Sequence, residues 1–79
     1  MMYVYVLRSL KNDSMYVGMS SNVEKRICEH NSKRVRSTKA YCPWKLIHLE
    51  VFEDRISARK REKYLKSGYG KSWLKNKYS

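Results

Sequence analysis

Met2-Tyr3-Val4-Tyr5-Val6-Leu7 and Met15-Tyr16-Val17-Gly18-Met19, separated by the polar run Lys11-Asn12-Asp13-Ser14, decide how this chain of 79 residues folds. Valine and tyrosine favour a pleated, half-buried backbone, so each segment reads as a strand, Tyr3 to Leu10 and Met15 to Met19. The Asn-Asp-Ser run between them has turn chemistry, because short polar side chains hydrogen-bond their own backbone and tolerate tight bends. Two β-favouring runs joined by a short polar loop make a hairpin. That hairpin puts Tyr5 and Tyr16 on neighbouring strands, within side-chain reach of each other.

The rest of the chain follows outward from the hairpin. Ser20-Ser21-Asn22 opens a helix, with Ser21 and Glu24 in capping-box spacing and Ser21 as the expected N-cap. The helix is expected to run to about Ser32, with Val23, Ile27 and His30 on its inward stripe and Arg26 beside them. Lys33 to Ala40 carries Lys33, Arg34, Arg36 and Lys39 among Ser and Thr, and reads as an exposed loop suited to phosphate contact. Pro43 precedes a third strand, Trp44 to Phe52. Asp54 starts a second helix reaching about Ser67; Gly68 and Gly70 are expected to end it, and a short terminal helix covers Lys71 to Lys77. The order β-β-α-β-α-α predicts a small α/β (α+β) sandwich, a three-stranded, mainly antiparallel sheet flanked by helices, in one domain over residues 1–79.

Charge narrows the function. Eighteen Lys and Arg against seven Asp and Glu give a net charge of +11, which favours a polyanionic partner. Neither basic helix has the strong apolar face that membrane-surface binding requires, so nucleic acid is the expected partner and no membrane role is expected. No apolar run approaches spanning length. The chain opens on a strand pattern instead of a charged and then apolar leader, and two cysteines are too few for a disulfide scaffold. A cytoplasmic setting with reduced thiols is expected, with no glycan on the Asn12-Asp13-Ser14 sequon.

Four residue types bear chemistry. Glu62 lies in the same helical stripe as Ala58 and Leu65, at spacings of four and three, so its carboxylate points inward among Arg59, Lys60, Arg61 and Lys63. A buried carboxylate needs a cation or a metal. An ion pair with Arg26, Arg59 or Lys66 would serve, and so would Mg²⁺, which takes one carboxylate plus waters and substrate oxygens. Arg26 and His30, four apart, project together. Arginine's planar fork suits a crowded phosphate, and a histidine beside Ile27 is either a packed core residue or a site group. Tyr5 and Tyr16 would ordinarily be strand aromatics in the core. Cys28, His30, Cys42 and His48 do not form a zinc site by spacing, since Cys28 and His30 point about 200° apart around a helix. Gly70-Lys71-Ser72 imitates the end of a phosphate-binding loop, but Leu65 stands where its first glycine belongs.

These residues carry a resemblance. Tyr3-Val4-Tyr5 and Tyr16-Val17-Gly18, ten residues clear of each other, resemble the two motifs of the GIY-YIG nuclease superfamily, and Arg26, Glu62 and the Gly68-Tyr69-Gly70 tail extend the likeness nearly end to end. The resemblance implies hydrolysis of DNA phosphodiesters with one divalent ion, Mg²⁺ or Mn²⁺, in repair or recombination of structured DNA. It implies Glu62 as the metal ligand, Arg26 as the clamp on the phosphate, Tyr16 as the residue that deprotonates or positions water, Tyr5 as its hydrogen-bonding neighbour and His30 as a water-orienting or phosphate-contacting group. Tyrosine titrates near ~10 and is a poor base at neutral pH; a nearby Arg26, a cation and the net charge are expected to favour the phenolate. Gly18, having no side chain, is expected to admit a phosphate or the first helix. Lys33, Arg34, Arg36 and Lys39 are expected to hold nucleic-acid backbone. The chain departs from the pattern at Met19, where many members carry lysine, and near Leu74, where a late polar residue is common. With no DNA-binding domain alongside, low sequence selectivity or a recruiting protein partner is expected. The alternative reading is a non-catalytic nucleic-acid-binding module that keeps the fold and the charge.

Overall fold

The computed structural model describes residues 1–78, and over those residues the order is β1 (Met2–Ser9), β2 (Met15–Ser20), α1 (Val23–Asn31), a short 3-10 turn (Lys39–Tyr41), β3 (Trp44–Phe52), α2 (Arg55–Lys66) and α3 (Gly68–Tyr78). The sheet order is β2-β1-β3, antiparallel throughout. The expected small α+β architecture is the one observed.

β1 is central, so its alternation fills both faces. Val4 and Val6 join Met2, Val17, Ala58, Leu65 and Leu74 beneath α2 and α3. Tyr5 and Leu7 join Trp44 on the other face, with Tyr16, Val23 and Ile27 packed against them beneath α1. A bulge interrupts the pairing of β1 with β3, where Val6 faces His48 but Leu7 faces Leu46. The extra residue, Ile47, packs with the α2/α3 core. Alternation is therefore not continuous along β3, because one added residue reverses which face later side chains occupy.

Polar groups seat the helices. Glu50 on β3 accepts two hydrogen bonds from the Arg61 guanidinium, 2.8 and 3.0 Å, and contacts His48 Nε2 at 2.6 Å. The other imidazole nitrogen lies 2.5 Å from Tyr78 Oη. β3, α2 and α3 are thereby tied by one network.

Two helix starts differ from expectation. Asn22 caps α1, its side-chain oxygen accepting from Lys25 N–H, with Asn22 in extended backbone. Ser21 and Asn22 are near-equal cap formers, and the choice moves the first turn on by one residue. α3 begins at Gly68, not Lys71. Ser67 Oγ–H donates to Tyr64 O at 2.5 Å, and the same oxygen accepts from Gly70 N–H at 3.3 Å, so one hydroxyl closes α2 and opens α3. The glycines that read as terminators permit a crossing. A Cβ on Gly70 would collide with the carbonyl of Tyr64 and lie 2.5 Å from Leu65 Cα, both backbone atoms that cannot swing aside. Gly70→Ala is therefore expected to destabilise the protein by roughly 3 kcal/mol, at the upper end for overpacking, read as a fall in urea midpoint. Gly68→Ala, which meets nothing within 4 Å, should leave the midpoint near that of the unsubstituted protein or slightly raised.

Candidate active site

Tyr5 sits in the middle of β1 with Gly18 as its direct cross-strand neighbour, while Tyr16 pairs with Leu7 one diagonal step away. The Tyr5 and Tyr16 ring centroids are 6.4 Å apart. Gly18 is glycine for a reason the sequence did not reveal: a Cβ there would lie 2.5 Å from Tyr5 Oη and 2.6 Å from Cζ. The ring of Tyr5, not a phosphate or α1, occupies the space that a side chain would take.

α1 delivers the next two groups. It ends in a Schellman pattern, with Lys33 N–H donating to His30 O and Arg34 N–H donating to Glu29 O. Lys33 holds the left-handed conformation, φ 64°, that such an ending demands. Lysine there costs about 1 kcal/mol over glycine. Asn31 ties the same turn to β3, accepting from Trp44 N–H at 2.6 Å and donating to Trp44 O at 3.2 Å. Held this way, His30 is fully buried. Its Nε2 shares a 3.2 Å hydrogen bond with Tyr5 Oη, and its Nδ1 shares a 2.8 Å hydrogen bond with Thr38 Oγ1. The Tyr16 ring stands 4.8 Å from the imidazole, centroid to centroid, and 6.3 Å from Trp44.

Arg26 lies a turn earlier, half-exposed, its Nη1 donating to Glu29 Oε1 at 2.8 Å. Glu29 and the Tyr5 hydroxyl both favour its charged form, outweighing the cost of partial burial. Burial pushes the Tyr5 phenol up, and Arg26 offsets only part of that. At Tyr5 the pull of Arg26 towards phenolate does not prevail: desolvation of the anion outweighs the guanidinium. Burial also pushes His30 down, with Arg26 adding to the effect and Glu29 opposing it. The site therefore holds a neutral phenol and a neutral imidazole beside a fixed cation.

Among the described residues, no hydrogen bond or ion pair joins Glu62 to Tyr5, Tyr16, Arg26 or His30. Glu62 is buried on α2 with Ala58 and Leu65, as the stripe implied, on the helical layer that covers Val4 and Val6. Its oxygens take Arg59 Nη1 and Lys66 Nζ, each at 3.3 Å. The pairing with Arg26 considered from the sequence does not form, since Arg26 has Glu29. Glu62 still reaches Tyr5 through its charge, the smallest of five influences on that phenol. Among the described residues no three of His, Cys, Asp or Glu converge into a metal-binding group.

Lys33, Arg34, Arg36 and Lys39 are all exposed. The segment between α1 and β3 turns back on itself, with Thr38 N–H donating to Val35 O and Tyr41 N–H to Thr38 O. Thr38 itself is 1% exposed. The sequence gives no sign of this, because a threonine between Ser37 and Lys39 reads as one more solvated loop residue. Trp44, whose Nε1–H donates to Thr38 O at 3.0 Å, is likewise part of the wall and was read only as a strand start.

With this geometry in place, comparison with known proteins identifies the class. The family described as the GIY-YIG catalytic domain matches across residues 1–79, and the chain belongs to that family, within the GIY-YIG nuclease superfamily. It is 42% identical to the UPF0213 protein of Clostridium perfringens, over 84% of this chain and 71% of that protein. It is 38% identical to the UPF0213 protein of Natronomonas pharaonis, over 82% of this chain and 76% of that one. The solution NMR structure of the UPF0213 protein of Bacillus halodurans is similar with a TM-score of 0.58 at 29% identity, covering 99% of this chain and 86% of the other.

The depressed His30 basicity has a thermodynamic consequence. An imidazole whose folded pKa lies below its unfolded value near ~6.5 binds protons in the unfolded state first. Its contribution to stability is full above that value and is lost as pH falls below it. Urea midpoints of the unsubstituted protein should therefore drop between about pH 7 and about pH 5 more steeply than those of His30→Gln. Parallel pH profiles would show that burial of His30 carries no proton linkage.

Proposed function

We propose that this protein hydrolyses phosphodiester bonds of nucleic acid, DNA in preference to RNA, with one divalent cation, magnesium or manganese. The observation that carries this reading is the gathering of Tyr5, Tyr16, Arg26 and His30 on one face of the sheet, in contact, in a chain of the GIY-YIG family. Tyr16, half-buried at the rim, would position the attacking water. The Tyr5–His30 pair would take the water's proton. A neutral phenol with a raised pKa is no base by itself, whereas a phenol hydrogen-bonded to a neutral imidazole can accept one proton while passing on another. Arg26 would neutralise charge growing on the phosphate, because a guanidinium held beside the reacting group is already oriented before the reaction begins.

Glu62 is the residue that would hold the cation. One buried carboxylate, with its remaining shell left to waters and phosphate oxygens, is a donor set that Mg²⁺ accepts. Its present partners are the tips of two exposed side chains, Arg59 and Lys66, which can move away. Bound there, a divalent ion would supply charge neutralisation at the phosphate and at the leaving oxygen. Lys33, Arg34, Arg36 and Lys39 would grip the backbone without reading bases. Structure-selective targets in repair or recombination, a recruiting protein partner and a cytoplasmic setting belong to the same proposal; the unpaired Cys28 and Cys42 agree with reducing surroundings. The two ion pairs of Glu62 favour one alternative, a non-catalytic nucleic-acid binder in which that carboxylate is structural.

Glu62→Gln separates the two. With labelled linear, branched and single-stranded DNA and RNA, in Mg²⁺ or Mn²⁺ and in EDTA, metal-dependent cleavage should disappear in Glu62→Gln while DNA affinity holds or rises. Arg26→Ala should lower turnover by about 10²- to 10³-fold with little loss of binding, and Arg26→Lys should rescue poorly. Full cleavage by well-folded Glu62→Gln protein would end the metal-ligand role.

Binding itself should be electrostatic. If four to six phosphates are neutralised, log affinity for duplex DNA should fall against log salt with a slope of roughly −4 to −5. Replacing Lys33, Arg34, Arg36 and Lys39 together should flatten that slope. An affinity indifferent to salt would contradict the assignment of this segment.

A further inference from the structure

The hydrogen-bond chain that runs from Tyr5 through His30 to Thr38 can carry its protons in two directions, and only one satisfies every buried atom. Before any substrate binds, Tyr5 is 1% exposed, so its hydroxyl proton needs an acceptor inside the protein. The described residues offer that proton one hydrogen-bonding partner, His30 Nε2 at 3.2 Å. Arg26 is adjacent too, but a guanidinium has no lone pair to give. It can only donate to the phenol oxygen, and its influence on Tyr5 is that of a hydrogen-bond donor. Nε2 must therefore be the bare, accepting nitrogen. In a neutral imidazole the proton is then on Nδ1, which needs an acceptor of its own. That acceptor is Thr38 Oγ1 at 2.8 Å. The threonine hydroxyl proton in turn can go to Val35 O, 3.4 Å away. Every donor in the chain then has an acceptor.

The opposite direction fails at one atom. If Thr38 donated to Nδ1 and His30 donated from Nε2, Tyr5 Oη would receive donors from both His30 and Arg26. Its own proton would be left with no acceptor in a buried site, a loss of roughly 1–3 kcal/mol.

We propose that Thr38 is a positioning residue for this site: its buried hydroxyl fixes His30 as the Nδ1–H tautomer and so points a basic Nε2 at the Tyr5 hydroxyl. This rests on the reading of Tyr5 and His30 as the proton route in phosphodiester hydrolysis. In that step the water O–H bond breaks as the water oxygen bonds to phosphorus, the bond from phosphorus to the 3′-oxygen of the leaving strand breaks with its electron pair, and that oxygen takes a proton from solvent as it departs. The water proton passes to Tyr5 Oη, and the phenol proton passes to His30 Nε2. Tyr5 ends as it began, and the imidazole becomes a cation with both nitrogens protonated, Nδ1–H still on Thr38 Oγ1. With the other tautomer Nε2 already holds a proton and the relay has nowhere to deliver one. The ordering of a histidine by the hydrogen bond its second nitrogen makes is a general feature of sites that use one. Thr38 is fixed for that task by Trp44, whose indole N–H donates to the Thr38 carbonyl at 3.0 Å, and by the Thr38 N–H bond to Val35 O at 3.1 Å.

The test reads the tautomer directly, by ¹⁵N-labelled histidine side-chain NMR of the full chain above neutral pH, and turnover separately. The unsubstituted protein should show His30 protonated on Nδ1. Thr38→Val, which keeps the shape and removes the acceptor, should show the proton moved to Nε2. Thr38→Ser should restore the original pattern. With a cleavable DNA, Thr38→Val should lower kcat by roughly 10²-fold at little change in KM, and Thr38→Ser should recover most of it. An Nε2-protonated His30 in the unsubstituted protein would overturn the proposal whether or not Thr38→Val folds. So would a Thr38→Val protein that keeps the Nδ1 proton, or one that keeps full kcat. If the tautomers behave as described but no preparation cleaves DNA, the hydrolytic reading fails, and the assignment of Thr38 as the residue that sets the His30 tautomer stands on the NMR result.

Discussion

β1 is buried on both faces, and at the centre of the sheet its side chains carry one polar atom that needs a partner, the hydroxyl of Tyr5. Much of the local architecture can be understood as the answer to that single donor. The ring lies across the opposite strand, so position 18 has no room for a side chain. The acceptor is brought to the hydroxyl by ending α1 with His30 facing the sheet, Nε2 at 3.2 Å. That ending demands a left-handed residue at Lys33 and the Asn31 tether to Trp44. The imidazole then has a second nitrogen to satisfy, which draws Thr38 out of a basic, otherwise solvated segment. Each step follows from the cost of an unpaired buried polar group, which is comparable to the stability of several ordinary surface contacts.

The sequence was legible where a period or a composition carries the information. The hairpin, the third strand, the α2 stripe of Ala58, Glu62 and Leu65, and the exposure of the basic segment all follow from alternation, helical spacing or charge, and the structure has them. What was not legible depends on competition between near-equals or on atoms distant in sequence. Ser21 and Asn22 cap helices almost equally well, and only the final packing of α1 decides for Asn22. Gly68 and Gly70 look like stop signals because glycine usually ends helices, yet Ser67 restarts one at once and Gly70 is needed for the close passage of two backbones. The bulge at Ile47 leaves no mark in the sequence, because Leu46, Ile47 and Leu49 are interchangeable as strand residues. Thr38 could not be found at all, since its burial is imposed by His30, eight residues earlier, through a contact no local pattern encodes. The protonation of Tyr5 was not legible for a related reason. Charges can be counted from the sequence, but desolvation requires knowing that the group is buried, and here desolvation is the larger effect.

Two glutamates in this chain show how burial and pairing separate structural from available carboxylates. Glu50 is gripped by both arms of the Arg61 guanidinium and by His48, in a planar, two-point geometry that is among the stronger pairings proteins make. Freeing Glu50 would unseat α2 and α3 from β3. Glu62 is more deeply buried, yet each of its partners makes a single contact at 3.3 Å from a side chain that is more than half exposed. Exposed arms of this kind contribute about 0–1 kcal/mol each, because they give up side-chain entropy for a charge interaction that water weakens. A divalent cation could displace both without disturbing the fold. The same reasoning applies to Arg26, whose pairing with Glu29 lies along one helix at the surface, so turning the guanidinium from Glu29 to a phosphate costs little. The fold thus commits its rigid pairing to holding helices on the sheet, and leaves loosely held the carboxylate and the guanidinium that phosphodiester chemistry would use.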